Sequence, residues 1–307
     1  MLAVKKLLIG SLILTLLFSL SLSSRAAEAI QNPLEWIEKM ELTVMGENGS
    51  GNLVNRLDQL ELAVTGRMKD GNLVERLSRL QTYLYANQPY DISLIYKIQA
   101  LEWVVFKEAQ DGAMKTRTEK MERILLGQSY SGPLNKRLEK LIGQVFTDGA
   151  VKGHWVDIPV GSLLKIRLNQ SLSSASNQAQ DHFQYVVEET VIQNSRVIFL
   201  KGTVGTGTLA EVRRPENLGR DAQLMLDFGE IRALDGTPVK VGNGKKAAEI
   251  NRSRQWAVGA SAAGMLAFGP GGILLGLAIR GHEETIPTGT QLYIQVQEPI
   301  RIYTINE

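Results

Sequence analysis

Cysteine is absent from the 307 residues, so disulfides, thiol nucleophiles and cysteine-based zinc or iron–sulfur sites are excluded. Histidine occurs only three times, at His154, His182 and His282, far apart and each without a second ligand at metal spacing. Aromatic residues make up only 6% of the chain. Neither sign of charge is in excess: 34 basic side chains face 32 acidic ones, which argues against a dedicated nucleic-acid binder. A chain of this length makes one large or two ordinary domains.

Residues 1–29 read as a signal peptide. Lys5 and Lys6 supply a positive start, residues 7–22 are apolar apart from Ser and Thr, and Ala27-Glu28-Ala29 offers a small-x-small cleavage pattern. An uncleaved anchor is the alternative, since the run approaches the ~18 residues that span a bilayer. Without a cysteine there is no lipoprotein anchor. Export without cysteine points to the periplasm or outer membrane of a diderm bacterium.

Residues 33–147 carry a repeat of 20. GNLVNRLDQLELAVTG at 51–66 recurs as GNLVERLSRLQTYLYA at 71–86, and GAMKTRTEKMERILLG and GPLNKRLEKLIGQVFT continue it from 112 and 132. Segments 35–46 and 94–107 are degenerate members, giving six units. Each reads as one short helix; the closing positions are Gly46, Gly66, Ala86, Lys107, Gly127 and Thr147, and where Gly closes a unit it suits a left-handed cap. Leu53, Leu57, Leu60 and Val64 form one apolar stripe, and Leu73, Leu77 and Leu80 its copy; these are the candidate repeat interface. Off the stripe, Arg56, Asp58 and Glu61 are expected to face water. Trp36, Tyr83, Tyr85, Trp103 and Phe106 lie on or near the stripes and are expected in the core. With Arg56, Leu57, Leu60, Glu61 and Gly66 in these places, the unit resembles the short RLxxLE helical repeats of bacterial envelope proteins.

From His154 the period shortens to two, as where Leu164, Ile166 and Leu168 alternate with Lys165, Arg167 and Asn169. Further strands are expected at 183–192, 196–204, 208–213, 224–233, 238–241 and 292–303. The fold class is therefore α+β: an N-terminal array of short helices, then an antiparallel β-barrel or sandwich over 154–307. IPVGS at 158–162 is echoed by IPTGT at 286–290, with FLKGT at 199–203 as a looser copy, so one tight turn delivers several strands. Together with Ser173-Ser174 and Asp181-His182-Phe183, these residues make the second half resemble the C-terminal β-barrel of TrbI-type proteins, the outer-membrane core components of conjugation and type IV secretion machines. Leu200 stands where that family has proline. The resemblance implies a barrel whose helical hairpin contacts the outer membrane.

Residues 255–280 form an apolar, glycine-rich insert with no charge before Arg280. Gly259, Ala263 and Ala267 recur every four residues, as do Gly272 and Gly276, a spacing that lets helices approach in lipid. These five are the membrane-insertion candidates. A helical hairpin is expected, either covering the barrel or entering a membrane; a single kinked span would split the sheet across the bilayer.

Catalytic patterns were sought as well. VGTGTLA at 204–210 mimics a dinucleotide loop, but that motif needs a helix and these residues alternate as a strand. Asp181 and His182 have no serine in a strained elbow, and Glu188-Glu189 and Glu283-Glu284 need not converge. No enzymatic activity and no cofactor are expected. The function expected is an envelope scaffold associated with membrane lipid, an envelope protein partner or both, its helical repeats either binding a partner or self-associating as a homo-oligomer. A periplasmic cell-wall or polysaccharide-binding module, or a subunit of a transport channel, is the alternative.

Overall fold

The computed structural model describes residues 32–87, 91–214, 222–258, 265–267, 277–281 and 285–307. The expected signal segment lies outside them, as do Gly259, Ala263, Gly272 and Gly276.

Six helices of 12 or 13 residues realise the six units: α1 (Pro33–Val44), α2 (Leu53–Thr65), α3 (Leu73–Tyr85), α4 (Leu94–Phe106), α5 (Met114–Leu126) and α6 (Leu134–Val145). Their starts are written locally. Asn52 and Asn72 accept from the backbone N–H three residues on, at 2.9 and 3.0 Å, and Ser93 does the same for Tyr96 at 3.2 Å. Glu75 returns the bond to Asn72 and completes a capping box. Gly66 and Gly127 close their helices at φ +79° and +78°, and Lys107 adopts φ +60° in the same role.

Helices this short are marginal in isolation, so their stability comes from the stripes. Leu57, Leu60, Val64, Leu77 and Leu80 are buried in one core shared by all six helices, with Leu53 and Leu73 packed at its margin. Trp103 joins that core, and Tyr83, Tyr85 and Phe106 pack against it half-buried.

The second half is a closed six-stranded antiparallel barrel. Its strands are β2 (Leu163–Leu168), β4 (His182–Val187), β7 (Val204–Arg213), β8 (Ala222–Arg232), β9 (Pro238–Gly242) and β13 (Gln291–Val296). They follow the order β8-β7-β4-β2-β13-β9, and β9 returns to β8. The remaining strands are β1 (His154–Ile158), β3 (Leu172–Ser173), β5 (Val191–Gln193), β6 (Arg196–Phe199), β10 (Met265–Ala267), β11 (Leu277–Gly281), β12 (Thr285–Ile286) and β14 (Ile300–Thr304). β1 pairs with β14, β3 with β12 and β5 with β6.

Three expected strands break where the chain must turn. Residues 183–192 divide into β4 and β5, 196–204 into β6 and β7, and 292–303 into β13 and β14. The middle break is the third copy of the repeated turn. In all three copies a glycine at positive φ (Gly161, Gly202, Gly289) donates its N–H to the end of a neighbouring strand. Gly161 donates to Val296, Gly202 to Val187 and Gly289 to Leu168, at 2.8–2.9 Å. Each of those residues donates back to the Ser or Thr after the glycine. The motif is thus a clasp that fixes strand register, and Leu200 serves in place of proline because the bonds are made by the backbone.

Gly205 and Gly207 have a packing reason. A Cβ on either would sit 2.2 Å from the Tyr185 ring or 2.4 Å from that of Phe183. These rings stack edge-on with Phe228 inside the barrel, and the Tyr185 hydroxyl donates to the Phe228 carbonyl at 2.8 Å. The apparent nucleotide loop is barrel core.

A seventh helix, α7 (Lys245–Val258), precedes the insert and was not legible as a helix over its first ten residues. It covers a gap in the barrel wall. β9 pairs with β13 only at Gln295 and Val296, and beside them Asn251 exchanges two bonds with the Tyr293 backbone, at 2.7 and 2.8 Å. A side-chain amide there replaces a strand.

Beyond Val258, the described parts of the apolar insert are extended rather than helical. β10 pairs with β11, Ala267 opposite Ala278, and β11 adds to β8. The physical reason is an edge: β7 and β8 are long enough to overhang the barrel, and β9 covers β8 only from Glu230 to Arg232. β11 takes up the edge left between Ala222 and Leu226. No helix among the described residues is long and apolar enough to cross a membrane.

Candidate binding groove at the junction of array and barrel

The charged residues of the repeat do not face water as expected. Arg56 is 7% exposed and Glu61 2%. The reason is a pairing between consecutive units: each Arg reaches back 15 residues to the Glu of the preceding helix and binds it through both carboxylate oxygens. Arg56 holds Glu41 at 3.0 and 2.6 Å, and Arg76 holds Glu61 at 3.3 and 2.7 Å. Arg117 holds Glu102 at 2.6 and 2.7 Å, and Arg137 holds Glu122 at 2.9 and 2.7 Å. Fork-to-fork geometry of this kind is the strong form of the charge-assisted hydrogen bond. Asp58, half-exposed, adds a third oxygen to Arg76 at 2.5 Å.

The linker is tied in as well. Glu61 accepts from the Lys69 N–H at 2.8 Å and Glu122 from that of Tyr130 at 3.0 Å, each eight residues on. Burial raises the Glu41 and Glu122 carboxyls, but the bonds from Arg56 and Arg137, with backbone N–H groups of Gly49 on Glu41 and Tyr130 on Glu122, outweigh it and hold both below the usual range. In Arg76 the bond to Glu61 outweighs desolvation and pushes the guanidinium up.

The ladder has an interruption and two ends. Trp36 occupies the Arg place of the first unit and Ile142 the Glu place of the last. Between α3 and α4, Gln81 replaces the Glu and Lys97 the Arg, and the linker is one residue longer. At that junction the Lys97 ammonium lies 6.0 Å from the Tyr83 ring centre and has no carboxylate within 4 Å among the described residues.

Here the array meets the barrel. Val197, Leu200, Leu234 and Ile305 from the second half are part of the array's core. The Ala109 N–H donates to the Lys201 carbonyl at 2.8 Å, and Tyr96 stacks edge-on with Tyr303 at 5.1 Å. Asp235, fully buried, accepts from Tyr303 and Thr237 N–H groups; burial pushes its carboxyl up despite them. Against this seam lies a groove of about 570 Å³, lined by Ile92, Lys97, Glu139, Lys152, His154 and Tyr303 among others. Ile92 also lines, with Tyr83, a smaller recess of about 290 Å³.

Sequence reasoning did not find this groove. The signal was present in the register: Lys97 and Gln81 break a pattern that the other junctions keep. His154 was read as isolated and lies in its wall; His182 is exposed and His282 falls outside the described residues. The interface leucines are where the stripe placed them. Of the membrane-insertion candidates, only Ala267 is described, in β10. Comparison with protein-family models and with curated proteins gave no match.

Proposed function

We propose that this chain is a non-enzymatic scaffold of a bacterial cell envelope that presents a rigid helical face to a protein partner and contacts membrane lipid through its apolar insert. One observation supports the scaffold reading above others. Leu34, Val54 and Val74 occupy the same place in three successive helices, 20 residues apart, and all are exposed, at 41, 48 and 50%. Leu42 and Leu62 repeat the pattern near the other end of two of them. Single exposed apolar residues are ordinary, but a row in register on a braced array is a surface for another molecule. The uncharged composition of 255–279, and the pairing of the described strand β11 at its end with β8, support lipid contact. The resemblance to TrbI-type barrels supports the same reading.

The groove supports a second reading, a cell-wall-binding module, because Tyr303 and the neighbouring Tyr83 offer sugar-stacking faces. Fractionation separates the two. Under the scaffold reading the protein stays in the membrane pellet after alkaline carbonate washing and does not sediment with purified sacculi. Release by carbonate with sedimentation on sacculi would replace it with the second.

A further inference from the structure

The interrupted rung and the orphaned groups around it point to a site for a specific kind of ligand. We propose that the groove binds an extended acidic peptide segment of a partner protein, with a carboxylate lying against Lys97 and His154; this rests on the scaffold reading.

The junction supplies a cation without the carboxylate that the other junctions place against it. At the four complete junctions a buried carboxylate satisfies the cation; here Gln81 is neutral and Lys97 is left with only an aromatic face. Tyr96, the preceding residue, is fully buried and its hydroxyl has no hydrogen-bond partner among the described residues. That hydroxyl packs against Gly153, a lining residue of the groove, where a Cβ would sit 2.3 Å from it, and Tyr96 is itself sealed from solvent. A buried donor without an acceptor costs about 1–3 kcal/mol, and such groups call for an explanation. His154 and Lys152 stand on the same wall, formed by the segment leading into β1.

The acid in the groove's own lining, Glu139, is engaged elsewhere. Glu139 pairs with Lys136 at 2.8 Å, and Asp148 pairs with Lys152. With Lys152 paired to Asp148, the lining keeps one cation that has no carboxylate among the described residues, Lys97, at a place where the rest of the array holds a glutamate. What the array supplies to itself four times, the partner supplies here. An extended chain fits because the wall at Ala150, Val151 and Lys152 is itself non-helical chain, whose amides have no backbone acceptor among the described residues. Ile92, Ile142 and the Tyr303 ring provide apolar seats between charges.

The test uses the purified full-length chain and a fluorescent decapeptide of alternating Glu and Leu, with the Gln/Leu peptide as control. Anisotropy should show saturable binding of the Glu peptide alone. Lys97→Gln should weaken it at least tenfold, and Gln81→Glu, which returns a carboxylate to the rung, should do the same. Lys115→Gln, on α5, should change it less than twofold. Equal binding of both peptides, no saturable binding, or wild-type affinity in Lys97→Gln would overturn the proposal. Displacement by soluble cell-wall stem peptides at lower concentration than the Glu peptide would also overturn it, by assigning the groove to the cell wall. Membrane fractionation does not depend on Lys97, so failure here is separable from failure of the scaffold reading.

Discussion

Arg117 and Glu102 show what the repeat asks of single residues. Glu102 is fully buried and its two oxygens face one guanidinium at 2.6 and 2.7 Å. A buried pair of this quality adds little over a well-packed apolar pair, whereas removing one member leaves an uncompensated charge in the core. Arg117→Met should therefore lower unfolding free energy by about 3–5 kcal/mol, and the double change with Glu102→Leu should recover most of that loss. Urea titration of the three proteins checks the order. The same carboxylates set an acid limit. Glu41 and Glu122 lie below their ordinary value of 4.5, so their contribution is complete above about pH 4.5 and is lost as pH falls through their folded values. Asp235 acts in the opposite sense, since its raised carboxyl favours the protonated form and its contribution fades as pH rises. With four carboxyls lowered (Glu41, Glu122 and the exposed Asp148 and Asp181) against Asp235 raised among the described residues, thermal stability should fall below pH 4.5, and Glu122→Gln, already destabilised, should show a shallower fall. None of this was legible in a helical projection. Arg56 and Glu61 sit off the apolar stripe, and a projection of one helix cannot show that the neighbouring helix covers that side.

At the scale of elements, the helices and most barrel strands were legible because their periods, caps and turns are local. The apolar stripes predicted where Leu57, Leu60 and Leu77 are buried. What escaped were features decided between elements. β4 and β5 read as one strand because both are apolar, yet the clasp at Gly202 draws the chain back to Val187. The helix α7 escaped because its first ten residues carry four cations, Lys245, Lys246, Arg252 and Arg254, and little apolar stripe. Its register is held by contacts such as that of Asn251, which is 4% exposed and does the work of a missing strand neighbour. Asn251→Ala removes two hydrogen bonds from the Tyr293 backbone and should cost about 1–3 kcal/mol, measured by chemical denaturation. The four-residue spacing of small residues suggests paired helices; of those residues the one described, Ala267, lies in a strand opposite Ala278, since small apolar residues suit close strands as well as close helices.

At the scale of the molecule, the sequence divides at about residue 150 where the period changes, but burial does not divide there. Val197, Leu200, Leu234 and Ile305 complete the core of the helices, and the buried Tyr96–Tyr303 contact closes the seam. Nothing in the local pattern of those four residues marks them as belonging to the other half. The joint therefore has no greased swivel. Whatever grips the outer face of the helices inherits a fixed bearing on the barrel, and a tug at one end is felt at the other without slack.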